Sequence, residues 1–368
     1  MANNYSQLRA MLAIAKASFM AILRNPSAVA FSFGFPLVFI LVFGFIGGGA
    51  PSVSIALANQ RDSSSSVIKW LIKGPLVKLS DDHDTAAIRH DLERGRIAAV
   101  VWVDSAKSSA NITQYTVRTQ TSSASADKYR ILQAALAQVL EQFVESGMPM
   151  RYRPIVIQQL PQIPGREYSE IDFILPGMLG FSLLSAAVFG VAFLFFSLRQ
   201  QLVLKRYYAT PIGKPYIVLG EGIARVVFQL ITAVVIIAIG KVGFHFTLVH
   251  GWVTFLELIV LSLFGLIVFM GFGFIISSVA KSESTIPPFA NLFTLPQFLL
   301  AGTFFPTDVF PKWLQKFCEI LPLKQLNDAL RNVAFEGAHL TDCWKQLAIL
   351  ALWGIGTYAV AVKVFKWE

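Results

Sequence analysis

The stretch LIVLSLFGLIVFMGFGFIISSVA, residues 258–280, contains no charged residue. A helix that crosses the hydrocarbon core of a bilayer, about 30 Å thick, needs about 20 consecutive apolar residues. Its backbone groups must pair with one another, because lipid offers them no hydrogen-bond partner. The stretch therefore predicts a membrane-spanning helix.

Five more stretches of this kind lie on either side of it. Three carry no charge, namely 28–46, 173–198 and 286–305. Two are less regular, because 216–240 includes two charged residues and 346–362 is slightly short. Hydrophobic residues make up 55% of the chain and charged residues 14%, against averages of about 45–50% and 25% in soluble domains. The predicted fold class is an α-helical integral membrane protein with six transmembrane helices, plus a small α/β extracytoplasmic domain.

The spacing of the apolar stretches predicts the domain organisation. A long segment of ordinary water-soluble sequence separates the first stretch from the others, and it exceeds the length of about 100 residues that is typical of a domain with its own core. We therefore expect four parts: an amphipathic interfacial N-terminal helix at 1–27, a first transmembrane helix at 28–48, an extracytoplasmic α/β domain at 49–170, and five further transmembrane helices within 171–368.

The net charge of +9 is informative by location rather than by total. Between residues 51 and 172, 14 Lys and Arg residues offset 13 Asp and Glu residues, and no nucleic-acid partner is expected. If the N-terminus is inside, ten basic residues lie in inside segments and six in short outside loops. The positive-inside rule then places both termini in the cytoplasm. We expect a multi-pass protein of the bacterial cytoplasmic (inner) membrane.

The residues before the first span have a helical period. Their apolar side chains recur at intervals of three and four, at Tyr5, Leu8, Leu12, Ala15, Phe19 and Ile22. Arg9 and Lys16 lie on another face, so the helix is suited to the interface between membrane lipid and water. A mobile leader with accidental periodicity is the alternative.

The insert alternates strand and helix patterns. Strands are predicted at 53–58, 97–103 and 112–118, and helices at 64–73, 85–94 and 126–144. The continuous apolar run IAAVVWV, residues 97–103, is typical of a strand in a sheet that is covered on both faces. The Pro-rich stretch 148–165 is interpreted as an extended return to the membrane. The polar cluster 81–84 is interpreted as a helix start, with a divalent-metal site as the alternative, and no metal site is predicted.

Several common catalytic motifs are missing. The sequence contains no GxxxxGK[ST] phosphate loop, and HExxH, GxSxG and CxxC are also absent. No catalytic residue and no cofactor are therefore predicted in this chain. Its two cysteines, Cys318 and Cys343, leave open a disulfide or two buried free thiols.

Four segments together resemble the type-2 ABC transporter permeases, in the long form with an extracytoplasmic domain between the first two spans. They are LRNPSAVAFSFGFPLVFILVFG at 23–44, KRYYATPIGKPYIVLGE at 205–221, LAGTFFPTDVFPKWLQKFCEILP at 300–322 and LPLKQLNDALRNVAFEG at 321–337. The second and fourth segments are the most specific. The chain departs from the family at Gly220-Glu221, where many members carry Gly-Lys, so no charge-specific role is transferred to that position.

The resemblance implies that the loop 199–215 is a cytoplasmic coupling segment that docks on a separate ABC ATPase subunit. The residues expected to carry this role are Arg199, Lys205, Arg206, Tyr207, Tyr208, Thr210 and Pro211. ATP and magnesium would bind in that partner ATPase, and the permease would pair with a second copy or a paralogue. A plain anchor of basic residues at a helix end is the alternative.

The second expectation concerns an outer re-entrant segment at 304–335. An amphipathic helix is predicted at 309–321, at the level of the outer headgroups, and prolines in the preceding span favour a break there. The residues expected to form an outer gate are Phe305, Pro306, Phe310, Trp313 and Phe317. A structural interface helix without a gating role is the alternative.

Two features of the spans carry charge. Glu221 and Arg225 are spaced i,i+4, so we expect them to form an intramembrane pair that lowers the cost of burying each charge. Glu257 lies near the outer start of the fourth span and is interpreted as a hydrated interfacial carboxylate.

The sequence thus favours a permease subunit of an ATP-driven exporter that moves a hydrophobic or amphipathic, drug-like or lipid-like solute. One alternative is a membrane-anchored signalling or scaffold protein with an extracytoplasmic binding domain. Another is an ion-driven secondary transporter, which normally needs more intramembrane ionisable groups than the sequence shows. The substrate, the identity of the second permease and the involvement of a periplasmic adaptor stay open.

Overall fold

The chain forms two compact units. The computed structural model describes residues 6–46, 53–59, 62–63, 65–74, 76–80, 84–93, 95–107, 113–145, 155–163, 169–200, 211–307 and 310–364. One unit consists of Met1–Phe45 together with Glu170–Glu368, and the other of Ile46–Ser169. The first is helical, whereas the second contains a β-sheet.

The helical unit contains nine of the described α-helices. In chain order they are α1 (Gln7–Leu23), α2 (Pro26–Ile46), α6 (Glu170–Gln200), α7 (Lys214–Phe244), α8 (Trp252–Val279), α9 (Ile286–Leu300), α10 (Lys312–Cys318), α11 (Pro322–Arg331) and α12 (Trp344–Val364). A π-helical turn, Asn332–Glu336, follows α11. The numbers α3 to α5 belong to the second unit, whose bounds are given below.

Four helices in the described part of the chain are long and apolar enough to cross a membrane: α6, α7, α8 and α12. Large apolar side chains stay exposed on α7, α8 and α12, such as Leu352 and Ile355 of α12, each 69% exposed. So many exposed large apolar side chains on three helices are unusual on a soluble protein. The chain is therefore a transmembrane protein, although the predicted count of six spans is not confirmed.

The predicted first and fifth spans differ from these four. The apolar α2 has 21 residues with Pro36 inside it, and it begins two residues before the predicted start. The predicted span 286–305 is shorter than expected, because α9 has only 15 residues. At 1.5 Å per residue such a helix extends about 22 Å, less than a hydrocarbon core of about 30 Å.

The end of α9 has a local cause. Gly302 has a φ of 66°, a left-handed conformation that glycine adopts without steric cost. The carbonyl of Ala301, just before this turn, accepts a hydrogen bond from Asn327 Nδ2 of α11 at 3.2 Å. The chain therefore turns back towards α11 instead of continuing across the membrane.

Close helix contacts hold the helical unit together. The main partners of α6 are α8, α7 and α11, while α12 packs on α8 and α11. Gly273 of α8 lies so near α6 that a Cβ atom there would come within 2.6 Å of Val191 Cβ. Small residues of this kind let membrane helices approach closely.

The second unit is an α/β domain. Its strands are β1 (Val53–Leu57), β2 (Val77–Leu79), β3 (Ala99–Lys107), β4 (Thr113–Gln120) and β5 (Ile155–Gln159), and its helices are α3 (Ser66–Lys73), α4 (Thr85–Glu93) and α5 (Ala126–Glu145). The strand order is β2-β1-β3-β4-β5. Only the β3–β4 pair is antiparallel, whereas β1 pairs with β2 and β3, and β4 with β5, in parallel.

Strand β3 lies in the middle of this sheet and is covered on both faces. Val101 and Val103 belong to an apolar cluster with α3 and α5, whereas Val100 and Trp102 belong to or pack on a second cluster with α4. The predicted double-sided coverage of the IAAVVWV run is confirmed. Strands β2 and β5 were not predicted, and β5 lies in the stretch interpreted as an extended return.

The start of α4 agrees with the interpretation of residues 81–84 as a helix start at one residue, Asp84. Asp84 Oδ1 accepts a hydrogen bond from the Ala86 amide at 3.2 Å, as expected for an acidic residue at a helix start. The rest of the polar cluster, residues 81–83, lies outside the described residues. In the part of the chain that the structure describes, no group of His, Cys, Asp and Glu side chains is suited to hold a metal ion.

Candidate functional site

The predicted coupling loop lies between the end of α6 and the start of α7, and most of it falls outside the described residues. Lys205, Arg206, Tyr207, Tyr208 and Thr210 belong to the undescribed stretch 201–210. Arg199 lies in the last turn of α6, where its Nη2 atom donates to the Ala280 carbonyl at 3.0 Å. Because Ala280 caps α8, this contact fastens the ends of α6 and α8 to each other.

The far end of the loop is held by the N-terminal helix. Gln7 Nε2 donates to the Pro211 carbonyl at 2.7 Å, and Gln7 Oε1 accepts from the Gly213 amide at 2.9 Å. Gly213 precedes the first turn of α7. One side chain of α1 therefore fixes both the exit of the loop and the start of the next helix, a role that the sequence analysis missed.

Helix α1 packs directly on α7. At Gly220, a Cβ atom would lie 2.8 Å from the Met11 carbonyl oxygen and 3.1 Å from Ile14 Cβ. Farther along, Ser18 Oγ donates to Glu221 Oε1 at 2.7 Å. Leu8 and Leu12 stay 61% and 57% exposed, so the predicted apolar stripe is only partly the face that packs on α7.

A cavity of about 1070 Å³ lies among α1, α2, α6, α7 and α8, on the side of the bundle where the predicted coupling loop joins α6 to α7. Its walls are mainly apolar and aromatic. The phenyl rings that line it belong to Phe35, Phe181, Phe189, Phe193 and Phe228. The polar side chains that line it are those of Ser18, Asn25, Ser32, Ser182, Ser185, Glu221, Arg225 and Gln229.

Glu221 and Arg225, the charged pair predicted from spacing, attract each other electrostatically but do not form a contact ion pair. Glu221 is 5% exposed and accepts a hydrogen bond from Ser18. Among the described residues, ion pairs are defined by N···O distances of 4.0 Å or less, and no such pair joins Glu221 to Arg225. The i,i+4 spacing brings the two residues to one helix face, but Ser18 of α1 offers Glu221 a nearer partner. Both side chains line the cavity.

Arg225 reaches across to α6. A Cβ atom at Gly190 would lie 2.8 Å from Arg225 Nη1, so the absence of a side chain at this glycine admits the guanidinium. Arg225 Nε is buried and has no hydrogen-bond partner in the structure. A buried guanidinium N–H without an acceptor is costly, so Arg225 is the polar group of the cavity that most needs a ligand.

The described part of the predicted outer segment 304–335 contains two short helices. Helix α10 covers only part of the predicted 309–321, and α11 begins at Pro322. Of the predicted gate residues, Phe305, Trp313 and Phe317 are 62%, 73% and 49% exposed. Pro306 is also exposed, whereas Phe310 is partly buried. The side chains of Phe305, Trp313 and Phe317 therefore point away from the bundle, as an interfacial helix requires.

Three polar side chains, of which Gln297 and Asn327 are buried and Arg331 is partly buried, anchor this segment, and the sequence analysis assigned them no role. Gln297 Oε1 of α9 accepts from the Leu323 amide at 3.0 Å, at the start of α11. Asn327 holds the turn after α9. Arg331 Nε donates to the Phe173 carbonyl of α6 at 3.1 Å, and its guanidinium lies 3.6 Å from the Phe173 ring. Asn327 and Arg331 lie in the fourth family-like segment, which was the available signal.

Glu257 has a partner from a distant part of the chain. His339 Nδ1 lies 3.0 Å from Glu257 Oε1, and the rings of His339 and His250 stack at 4.8 Å. The Glu257 side chain is 13% exposed. It is therefore more enclosed than the hydrated interfacial carboxylate that the sequence suggested.

The two cysteines are free and buried. Burial raises the pKa of the Cys318 and Cys343 thiols above the ordinary value. Of the two alternatives left open by the sequence, the structure therefore has two buried thiols and no disulfide.

Comparison with known proteins identifies the family. Residues 26–363 match the family described as ABC-2 family transporter protein. ABC transporter G family member 20 of Dictyostelium discoideum is 23% identical over 97% of this chain and 51% of its own length. Probable multidrug ABC transporter permease YbhR of Escherichia coli (strain K12) is 25% identical over 44% of each chain. Linearmycin resistance permease protein LnrN of Bacillus subtilis (strain 168) is 28% identical over 30% of this chain and 28% of its own.

The chain belongs to the ABC-2 family of transporter proteins, because the family match covers most of its length. The resemblance to type-2 ABC permeases is therefore confirmed. The chain spans about half or less of the length of these relatives.

Proposed function

We propose that this chain is the permease subunit of an ATP-driven exporter in a bacterial cytoplasmic membrane, and that it moves a hydrophobic or amphipathic solute. The observation that carries the proposal is the 1070 Å³ cavity, which lies within the bundle of a family transporter beside the predicted coupling loop. Drug-sized ligands occupy cavities of about 300–1000 Å³ with mostly apolar walls and a few polar groups. Two relatives whose names mention multidrug transport and linearmycin resistance support the same class of cargo.

The proposed topology has six spans, with α2 as the first and the short α9 as the fifth. Both termini and the loop 199–215 then face the cytoplasm, and the α/β domain is extracytoplasmic, where a periplasmic adaptor would be able to reach it. Helix α10 lies at the outer headgroup level. The outer gate consists of two residues of this helix, Trp313 and Phe317, together with Phe305, Pro306 and Phe310. Membrane lipid contacts the exposed apolar faces of α8 and α12.

The proposed energy source is a separate cytoplasmic ABC ATPase, which binds ATP and magnesium. Two permeases, either identical or paralogous, pair and recruit two ATPase subunits. Closure of the ATPases pushes on the loop 199–215, and Gln7 passes this displacement to α1 because it bonds both Pro211 and Gly213. The motion of α1 relative to α7 then changes the cavity that both helices line. Family membership favours this mechanism over the signalling, scaffold and ion-driven alternatives.

A charge reversal in the coupling loop tests the proposal. We expect the double change Lys205→Glu with Arg206→Glu to abolish export and the stimulation of the partner ATPase by the permease, while purification yield stays unchanged. The matched control is Lys312→Glu with Lys316→Glu on α10, whose two lysines are exposed and lie on the proposed outer side. Full export by the first variant, or loss of ATPase stimulation in both variants alike, would contradict the proposed coupling.

A further inference from the structure

The cavity contains a cationic group without an acceptor. Arg225 Nε is buried and unpaired, and its Nη1 atom lies against the backbone of α6 at Gly190. Glu221 does not fill this role, because it accepts from Ser18 and forms no contact ion pair with Arg225. A guanidinium binds carboxylate and phosphate groups through its planar set of N–H donors. An anionic group is therefore the chemical complement of this position.

The surroundings of Arg225 define the rest of the ligand. Phe181, Phe189 and Phe193 of α6 and Phe35 of α2 line the same cavity. Gln229, one turn farther along α7, donates to Ser182 at 3.3 Å, so its amide is already engaged with α6. The cavity thus offers one cation, with Glu221, several hydroxyl and amide groups and a larger apolar and aromatic surface around it, which suits a molecule with one anionic head and an apolar body.

We infer that the cavity binds an amphipathic anion, with a carboxylate or phosphate head on Arg225 and an apolar body among the phenylalanine side chains. The description of this ligand as cargo rests on the proposed export function, whereas the binding site itself does not. Glu221 acts in this arrangement as a neighbouring negative charge that weakens the binding of the anion. The two charged residues are therefore expected to affect affinity in opposite directions.

Binding to the purified full chain in nanodiscs of zwitterionic lipid tests this inference. The probes are radiolabelled dodecanoate, dodecyl phosphate, dodecanol and dodecylamine, with empty nanodiscs as the background. We expect saturable binding of at least one of the two anions, at least tenfold tighter than that of dodecanol or dodecylamine. The carboxylate and phosphate arms distinguish a fatty-acid-like ligand from a phospholipid-like one.

Variants then test the role of Arg225. Arg225→Gln is expected to lower the affinity for the preferred anion at least tenfold and to leave dodecanol binding unchanged, whereas Glu221→Gln is expected to raise anion affinity. Lys241→Gln is the matched control, since it removes an exposed cation from the other end of α7 and should behave as wild type. If Arg225→Gln does not fold, Gly190→Ala serves instead, because its methyl group would displace Nη1 while the charge remains.

Equal binding of all four probes, tighter binding of dodecylamine, or unchanged anion affinity in the Arg225→Gln or Gly190→Ala variant would overturn the inference. These outcomes are distinct from a failure of the proposed export function. A chain that binds none of the anions but loses ATPase stimulation on reversal of Lys205 and Arg206 would still be a coupled permease, with its cargo bound elsewhere.

Discussion

At the scale of single residues, Ser18 shows how a helix at the edge of the bundle is tied to a buried charge. Its hydroxyl donates to Glu221 Oε1 at 2.7 Å, and Glu221 is 5% exposed. Ser18→Ala would leave a buried carboxylate oxygen without this donor, at a cost of about 1–3 kcal/mol. We expect a lower unfolding temperature of the purified protein, measured by thermal denaturation in detergent.

The control for this change is Ser284→Ala. The Ser284 hydroxyl is exposed and contacts Ser282 in the turn before α9, so its removal should leave the unfolding temperature nearly unchanged. Equal unfolding temperatures of the Ser18→Ala variant and the wild type would show that the bond to Glu221 adds no stability.

The two cysteines give a prediction that depends on pH. Burial raises the pKa of both thiols, and the thiolate is the species that reacts with alkylating agents. At about pH 8, near the ordinary thiol pKa of about 8.5, the native protein should therefore hold less thiolate than a free cysteine. We expect slow alkylation by iodoacetamide, with a rate that keeps rising as the pH is increased beyond the ordinary pKa.

The thiol measurement has an internal control. The unfolded protein should be alkylated at both cysteines without prior reduction, since neither is in a disulfide, and a Cys318→Ala variant isolates the rate of Cys343. Rapid labelling of the native protein near neutral pH, or labelling that requires a reductant, would contradict the buried free thiols.

At the scale of elements, the contact between α1 and α7 depends on a glycine. A Cβ atom at Gly220 would come within 2.8 Å of the Met11 carbonyl oxygen. We expect Gly220→Val to push the two helices apart and to destabilise the protein by about 1–3 kcal/mol, the usual cost of overpacking. The measurement is the unfolding temperature in detergent, together with protease sensitivity of α1.

Gly243→Val is the matched control for Gly220→Val, because both glycines belong to α7 and a Cβ atom at Gly243 meets nothing within 4 Å. The control should keep the wild-type stability and the protection of α1. If the two valine variants behaved alike, the effect would come from the helix backbone rather than from the contact with α1.

The short α9 and the helices that follow it show why the outer segment could be predicted only in part. Aromatic and charged residues alternate with a helical period in 309–321, so sequence alone indicates an amphipathic helix. The break between α10 and α11 follows from Pro322 at the first turn of α11. The contacts of Arg331 with Phe173 and Gly302 are tertiary, and no local pattern specifies which distant carbonyls a partly buried arginine will reach.

At the scale of the whole molecule, the division into a helical unit and an α/β unit follows the contrast between apolar stretches and ordinary sequence. Strand β3 was predictable because a continuous apolar run needs cover on two faces. The cavity was not predictable, since five helices have to meet before Arg225 and the phenylalanine side chains share one space. The partner of Glu221 was missed for the same reason, because Ser18 is far from it in sequence.

The α/β unit provides a prediction about independent folding. Residues 46–169 form a compact unit with their own apolar clusters on the two faces of the sheet, so that Ile55, Val101 and Leu132 are fully buried. A domain of this size with such a core is typically stable by about 5–15 kcal/mol. We therefore expect the isolated fragment to be soluble and monomeric, and to unfold cooperatively in urea when followed by circular dichroism.

Val101→Asp should abolish this transition, because it buries a charge in β3, whereas Trp70→Ser, at a side chain that is 44% exposed, should preserve it. A fragment without a cooperative transition would show that the sheet depends on the helical unit for its stability.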